Sequence, residues 1–116
     1  MPHIHLETTA DLVENTSIPE ILEALASRLS EYETVSSKSV KAYHTLRSVW
    51  AVGEGHPAGF AHVTVQVLSG RPEELRKSMA DGLFATMREQ FSGSLKAGEA
   101  GLTLEIREMD AATYRK

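Results

Sequence analysis

The chain predicts an α/β (α+β) fold of two consecutive βαβ units, a four-stranded mixed sheet with two helices on one face. Three observations predict it. Short runs alternate apolar and polar residues, two longer stretches repeat apolar residues every three or four positions, and the order strand, helix, strand occurs twice around a glycine-rich loop. The 116 residues suit one domain, 1–116, with a βαβ unit over about 2–50, a second over about 60–108 and a short C-terminal tail.

The elements follow in order. In Pro2-His3-Ile4-His5-Leu6-Glu7 the even positions are apolar and the odd ones polar from His3 on, the period of a half-buried strand. Ser17 and Glu20 have capping-box spacing, and Ile18, Ile21, Leu22, Leu25, Leu29 and Tyr32 line one face of the helix that follows. Val40 to about Trp50 reads as a long mixed strand, and Gly53 to Gly59 as a turn-rich loop. Phe60 to Leu68 is a strand with Ala61, Val63, Val65 and Val67 on one face, ended by Ser69-Gly70. Pro72 suits a first helical position and Glu73 and Glu74 the positive helix start. Leu75, Met79, Leu83, Phe84, Met87, Phe91 and Leu95 form the buried stripe of that helix, with Gly98 and Gly101 at its exit. Leu102, Leu104 and Ile106 alternate in a last strand, after which Asp110 caps a short turn. Two helices cover only one face, so Phe60 and Leu68 point to the other, where Leu6 or Tyr43 join them. A partly apolar uncovered face predicts oligomerisation.

Composition narrows the function. A 41% apolar and 24% charged content is that of an ordinary globular protein, and the net charge of −4, without a basic stripe, disfavours nucleic acid as a partner. No apolar run approaches the roughly 20 residues of a membrane-spanning helix, and the N-terminus lacks a secretory signal pattern. The expected location is cytoplasmic, with no membrane partner. The chain has no cysteine, which removes thiolate chemistry and disulfides from consideration.

Pro2 is the most informative residue. If Met1 is removed, the chain begins with a secondary amine whose pKa, about 7.7–8.0 in model peptides, falls on burial or beside cations. Such an amine is poised near working pH to take a proton and return it. The plainer alternative is an edge-strand proline whose missing N–H costs nothing. Histidines 3, 5, 44, 56 and 62 raise a zinc site as a further alternative, but their spacing matches no metal motif. Gly53-Glu54-Gly55 lacks the strand–turn–helix context of a phosphate loop.

The opening Met-Pro-His-Ile, the run Phe60-Ala61-His62-Val63-Thr64, the turn Ser69-Gly70-Arg71 with Arg76 after it, and Leu104-Glu105-Ile106 together resemble 5-carboxymethyl-2-hydroxymuconate isomerase, of the tautomerase superfamily. The resemblance runs nearly end to end. It implies two βαβ units per subunit, a homotrimer with sheets inside and helices outside, no metal and no cofactor. It implies Pro2 as the catalytic base, moving a proton within an unsaturated 2-hydroxymuconate-type dicarboxylate from aromatic catabolism. Arg71 matches the family's strand-end arginine, and a guanidinium suits a carboxylate. The second strand departs from the pattern. Where the family often has Arg-x-Arg, this chain has Lys41 and Tyr43, with Arg47 further along the same face as a substitute substrate-binding group. His62, Arg76 and Trp50 have family counterparts, for which packing or solvated roles compete with substrate contact. Two other readings stand beside the isomerase: a noncatalytic small-acid-binding or structural oligomer, and a ferredoxin-like barrel dimer using its histidines.

Overall fold

A computed structural model of the protein describes residues 1–116. Its strands are β1 (His3–Thr9), β2 (Lys41–Arg47), β3 (Gly59–Leu68) and β4 (Ala100–Met109), and its helices α1 (Ile18–Leu29), α2 (Glu73–Gln90) and α3 (Ser92–Lys96). The sheet order is β2-β1-β3-β4, with β1 parallel to β2, β3 parallel to β4, and β1 antiparallel to β3. Two βαβ units therefore meet at β1 and β3, as the sequence predicts. The directions have one consequence for function: one end of the sheet gathers the starts of β1 and β2 with the ends of β3 and β4.

The core lies between the sheet and the helices. Ile4, Leu6, Ala61, Val63, Val65 and Val67 point from the sheet onto Ile21, Leu25 and Leu29 of α1 and Met79, Leu83 and Met87 of α2. Each large side chain in this set contributes about 1.5–3 kcal/mol by leaving water. Leu6 thus belongs to the core and not to the uncovered face, because it shares the even-numbered phase of Ile4. The uncovered face is mainly polar. The register puts His5 beside Tyr43 and Thr64, Glu7 beside Thr45 and His62, and His62 beside Thr103, with Phe60 and Leu68 as the apolar members on β3.

Several boundaries differ from the sequence reading. The capping box does not form: Ser17 ends a 3-10 turn (Val13–Ser17) and its side chain makes no capping bond, since that turn already supplies the helix entry. Pro72 sits just before α2, with its carbonyl accepting from Leu75 and Arg76 N–H groups. The second helical stripe is two helices, broken at Phe91, which is fully buried; Leu95 falls on α3, half-exposed. Gly98 ends α3 at φ +70, a conformation most side chains resist. Strand β2 stops at Arg47 because its only partner, β1, ends at the facing Thr9; Val49 beyond it is 93% exposed. Strand β4 is longer than expected, since β3 offers it a partner from Gly59 to Leu68.

Candidate active site

Pro2 opens β1 and is buried. Its ring nitrogen is bonded to Met1, whose α-amine donates to the Ser39 carbonyl at 2.7 Å. Its carbonyl accepts from the Lys41 N–H at 3.0 Å, which ties the start of β1 to the start of β2. Burial, followed by the Lys41 ammonium and then Lys116, holds the terminal amine below its ordinary value of 8.0. The next residue feels the same surroundings: burial first, then the terminal ammonium and Lys41, lower the His3 imidazole below 6.5. This end of the sheet disfavours added positive charge.

Lys41 and Tyr43 both lie on the uncovered face, since they pair with His3 and His5. Tyr43 stacks on the His5 ring at 5.1 Å between centroids, and His5 Nε2 bonds Thr45 Oγ1 at 2.9 Å. Arg71 leaves the end of β3 and turns to the loop after α1. Its Nε donates to Thr34 Oγ1 at 3.1 Å, one Nη to the Thr34 carbonyl at 3.0 Å and the other to the Leu68 carbonyl at 3.2 Å. The guanidinium has no carboxylate partner, so its charge remains uncompensated.

Arg47 is not brought to this end. Six residue steps of β2 separate it from Lys41, about 20 Å at ~3.3 Å per residue, and it pairs with Glu7 through Nε at 2.9 Å and a second guanidinium nitrogen at 2.5 Å. Within one subunit it cannot replace the family arginine, because β1 and β2 run in parallel and Arg47 pairs with Thr9 at the end of β1 far from Pro2. Arg76, expected on a solvated face, donates to the Arg71 carbonyl at 3.3 Å and lies 3.9 Å from Glu108, bracing the turn that carries Arg71. Trp50 donates to the Ala58 carbonyl at 2.9 Å and closes the β2–β3 loop.

The histidines do not converge. His44 faces the helix side, bonded through Nε2 to Thr8 Oγ1 at 2.7 Å, while His62 bonds Thr103 at 2.6 Å and stands 3.4 Å from Glu105. No three His, Asp or Glu side chains form a group able to hold a metal ion. Sequence reasoning missed Tyr114, whose hydroxyl lies 2.8 Å from His3 Nε2, and Lys116, whose Nζ lies 3.6 Å from Met1 Sδ. A strand-end turn signal at Asp110 was present, but nothing in the sequence says where such a tail lands. None of the three surface clefts includes Pro2; they lie along α2, α3 and the β4 edge.

A buried proline at a strand start, among unpaired cations at the end of a double βαβ sheet, can bind an anion and, with a free amine, exchange a proton. Comparison with known proteins identifies the fold and the family. The family model for 5-carboxymethyl-2-hydroxymuconate isomerase matches residues 2–116. The chain is 21% identical over 110 residues to 5-carboxymethyl-2-hydroxymuconate Delta-isomerase of Escherichia coli, covering 94% of this chain and 87% of that one. The crystal structure of a 5-carboxymethyl-2-hydroxymuconate isomerase from Deinococcus radiodurans R1 superposes with a TM-score of 0.89 at 30% identity, covering 99% of this chain and 87% of the other. A native fused 4-OT shares the fold at a TM-score of 0.80 and 14% identity, over 98% and 91% of the two chains. With its sheet order, its helices and its whole length matched, this chain is an isomerase and belongs to the 5-carboxymethyl-2-hydroxymuconate isomerase family.

Proposed function

We propose that this isomerase moves a proton within an unsaturated 2-hydroxymuconate-type dicarboxylate, using the Pro2 amine freed by removal of Met1 as its base. The observation that carries this reading is the placement of Pro2, buried just ahead of β1 and tied to the start of β2 at Lys41, in surroundings where burial and the lysine ammonium already lower the Met1 amine one residue away. In the reaction the neutral amine takes the proton of the dienol hydroxyl. The oxygen electrons form the ketone, the double bonds shift, and the ammonium returns its proton to a distal carbon. Atoms and charge balance without a cofactor. Lys41 and Arg71 hold the carboxylates, and Tyr43 lines the approach. In this reading the enzyme works in the cytoplasm, after ring cleavage in aromatic catabolism.

The working form in this reading is a homotrimer. Two relatives of the fold, fused 4-OT proteins at 12% and 13% identity, are described as asymmetric trimers. The test uses protein whose mass confirms loss of Met1. Isomerisation of the diacid is followed by ultraviolet absorbance, and light scattering gives the subunit number. Turnover above the buffer rate from a trimer supports the reading; a folded trimer with free Pro2 and no turnover removes this substrate.

A further inference from the structure

The segment after β4 folds back over the Pro2 end of the sheet. Asp110 organises the turn: its carboxylate accepts from the Ala112 N–H at 2.9 Å, and its carbonyl from the Tyr114 N–H at 3.0 Å. The turn is moored to the end of β3, where Ser69 N–H donates to the Met109 carbonyl at 2.9 Å. From there Tyr114 reaches His3. The imidazole stands edge-on between two tyrosine rings, 6.0 Å from Tyr114 and 6.3 Å from Tyr43. Its Nε2 is taken by the phenol, and its Nδ1 has no protein partner. Two residues on, the Lys116 ammonium meets only the Met1 thioether, a weak acceptor that leaves with Met1.

We propose that this tail is a working part of the site: Tyr114 is a positioning residue that fixes the His3 imidazole beside the base, and Lys116 joins Lys41 as a receptor for one substrate carboxylate. The inference rests on the proline reading. The pair of lysines then answers the missing Arg-x-Arg of β2 with charge from the tail. The fixed imidazole offers Nδ1 to the substrate's oxygen. The charged groups that act on the Met1 amine, and that would face the freed Pro2 amine, are Lys41 from β2 and Lys116 from the tail; His3 and Tyr114 are the titratable groups beside them, and Arg71 is turned to Thr34.

The test is made on the full chain lacking Met1, with Tyr114→Phe, Lys116→Gln and Pro2→Ala. Tyr114→Phe lowers kcat about fivefold with KM little changed, the loss of about one hydrogen bond. Lys116→Gln raises KM about tenfold, leaves kcat near wild type and raises the amine pKa, read by nitrogen NMR on the N-terminal proline. Wild-type kcat, KM and amine titration in both tail variants, with Pro2→Ala impaired, overturn the tail's role alone. A Pro2→Ala protein with wild-type kcat overturns the proline reading instead. In that case the amine titration in Lys116→Gln still judges the tail, because it needs no turnover.

Discussion

The cations around the sheet fall into two groups according to their partners. Arg47 is bound to Glu7, and Arg107 to Glu105, so their charges are spent within the subunit. Arg71 and Lys116 meet carbonyls, a hydroxyl or a thioether and no carboxylate, and the Lys41 ammonium is in no ion pair. Counting arginines does not distinguish the two groups. What distinguishes them is whether a carboxylate stands within reach, and position alone does not decide it: Arg107 lies level with Gln66 and His3 at the Pro2 end, yet Glu105 two residues back on its own strand takes its charge.

The comparison can be broken in several ways, beginning with the largest effect. Pro2→Ala, in protein freed of Met1, replaces the rigid secondary amine with a mobile primary one and is expected to lower kcat by about a hundredfold, the low end of the range for acid–base catalysis; an unchanged circular dichroism spectrum assigns the loss to chemistry. Lys41→Ala is expected to raise KM by about tenfold or more, as a charge-assisted contact to a carboxylate disappears. Arg47→Ala is expected to leave KM within about twofold and to cost less than about 1 kcal/mol in urea unfolding, since the pair is partly exposed. A KM rise matching that of Lys41→Ala would place Arg47 of a neighbouring subunit in the site.

The pH dependence should separate the two regions as well. Burial and Lys41 lower the Met1 amine one residue away, and the same surroundings are expected to lower the freed Pro2 amine, so kcat/KM is expected to rise with pH and reach its plateau as that base loses its proton. Glu7 is held below 4.5, chiefly by its bond from Arg47. A depressed carboxylate stabilises the fold above its unfolded pKa, and that contribution is lost as pH falls through the folded value. Acid unfolding curves of wild type and Arg47→Ala are therefore expected to converge below about pH 4, while the activity profile stays the same.

Much of this was legible in the chain. Alternation in β1 and β3, the three-and-four spacing in α1 and α2, and the resemblance carried by Pro2, Ser69-Gly70-Arg71 and Leu104-Glu105-Ile106 led to the right fold and family. The failures were of two kinds. Leu6 was assigned to the wrong face for want of following its own strand's phase, an error the sequence itself could correct. Arg47 was grouped with Lys41 because they share a face, although two residues on one face of a strand can still lie at its opposite ends.

What the sequence determined by itself is whatever depends on neighbours a few positions apart: which face of each strand and helix is apolar, where glycine and proline interrupt it, and that a proline follows Met1. What only the tertiary structure decided is which distant residues meet: Tyr114 with His3 across 111 positions, Arg47 with Glu7 across 40, Arg71 with Thr34 across 37. Periodicity reports the direction of a side chain relative to its own backbone. Pairing across the sheet depends on register and on chain direction, and these are settled only when the strands close around a common core.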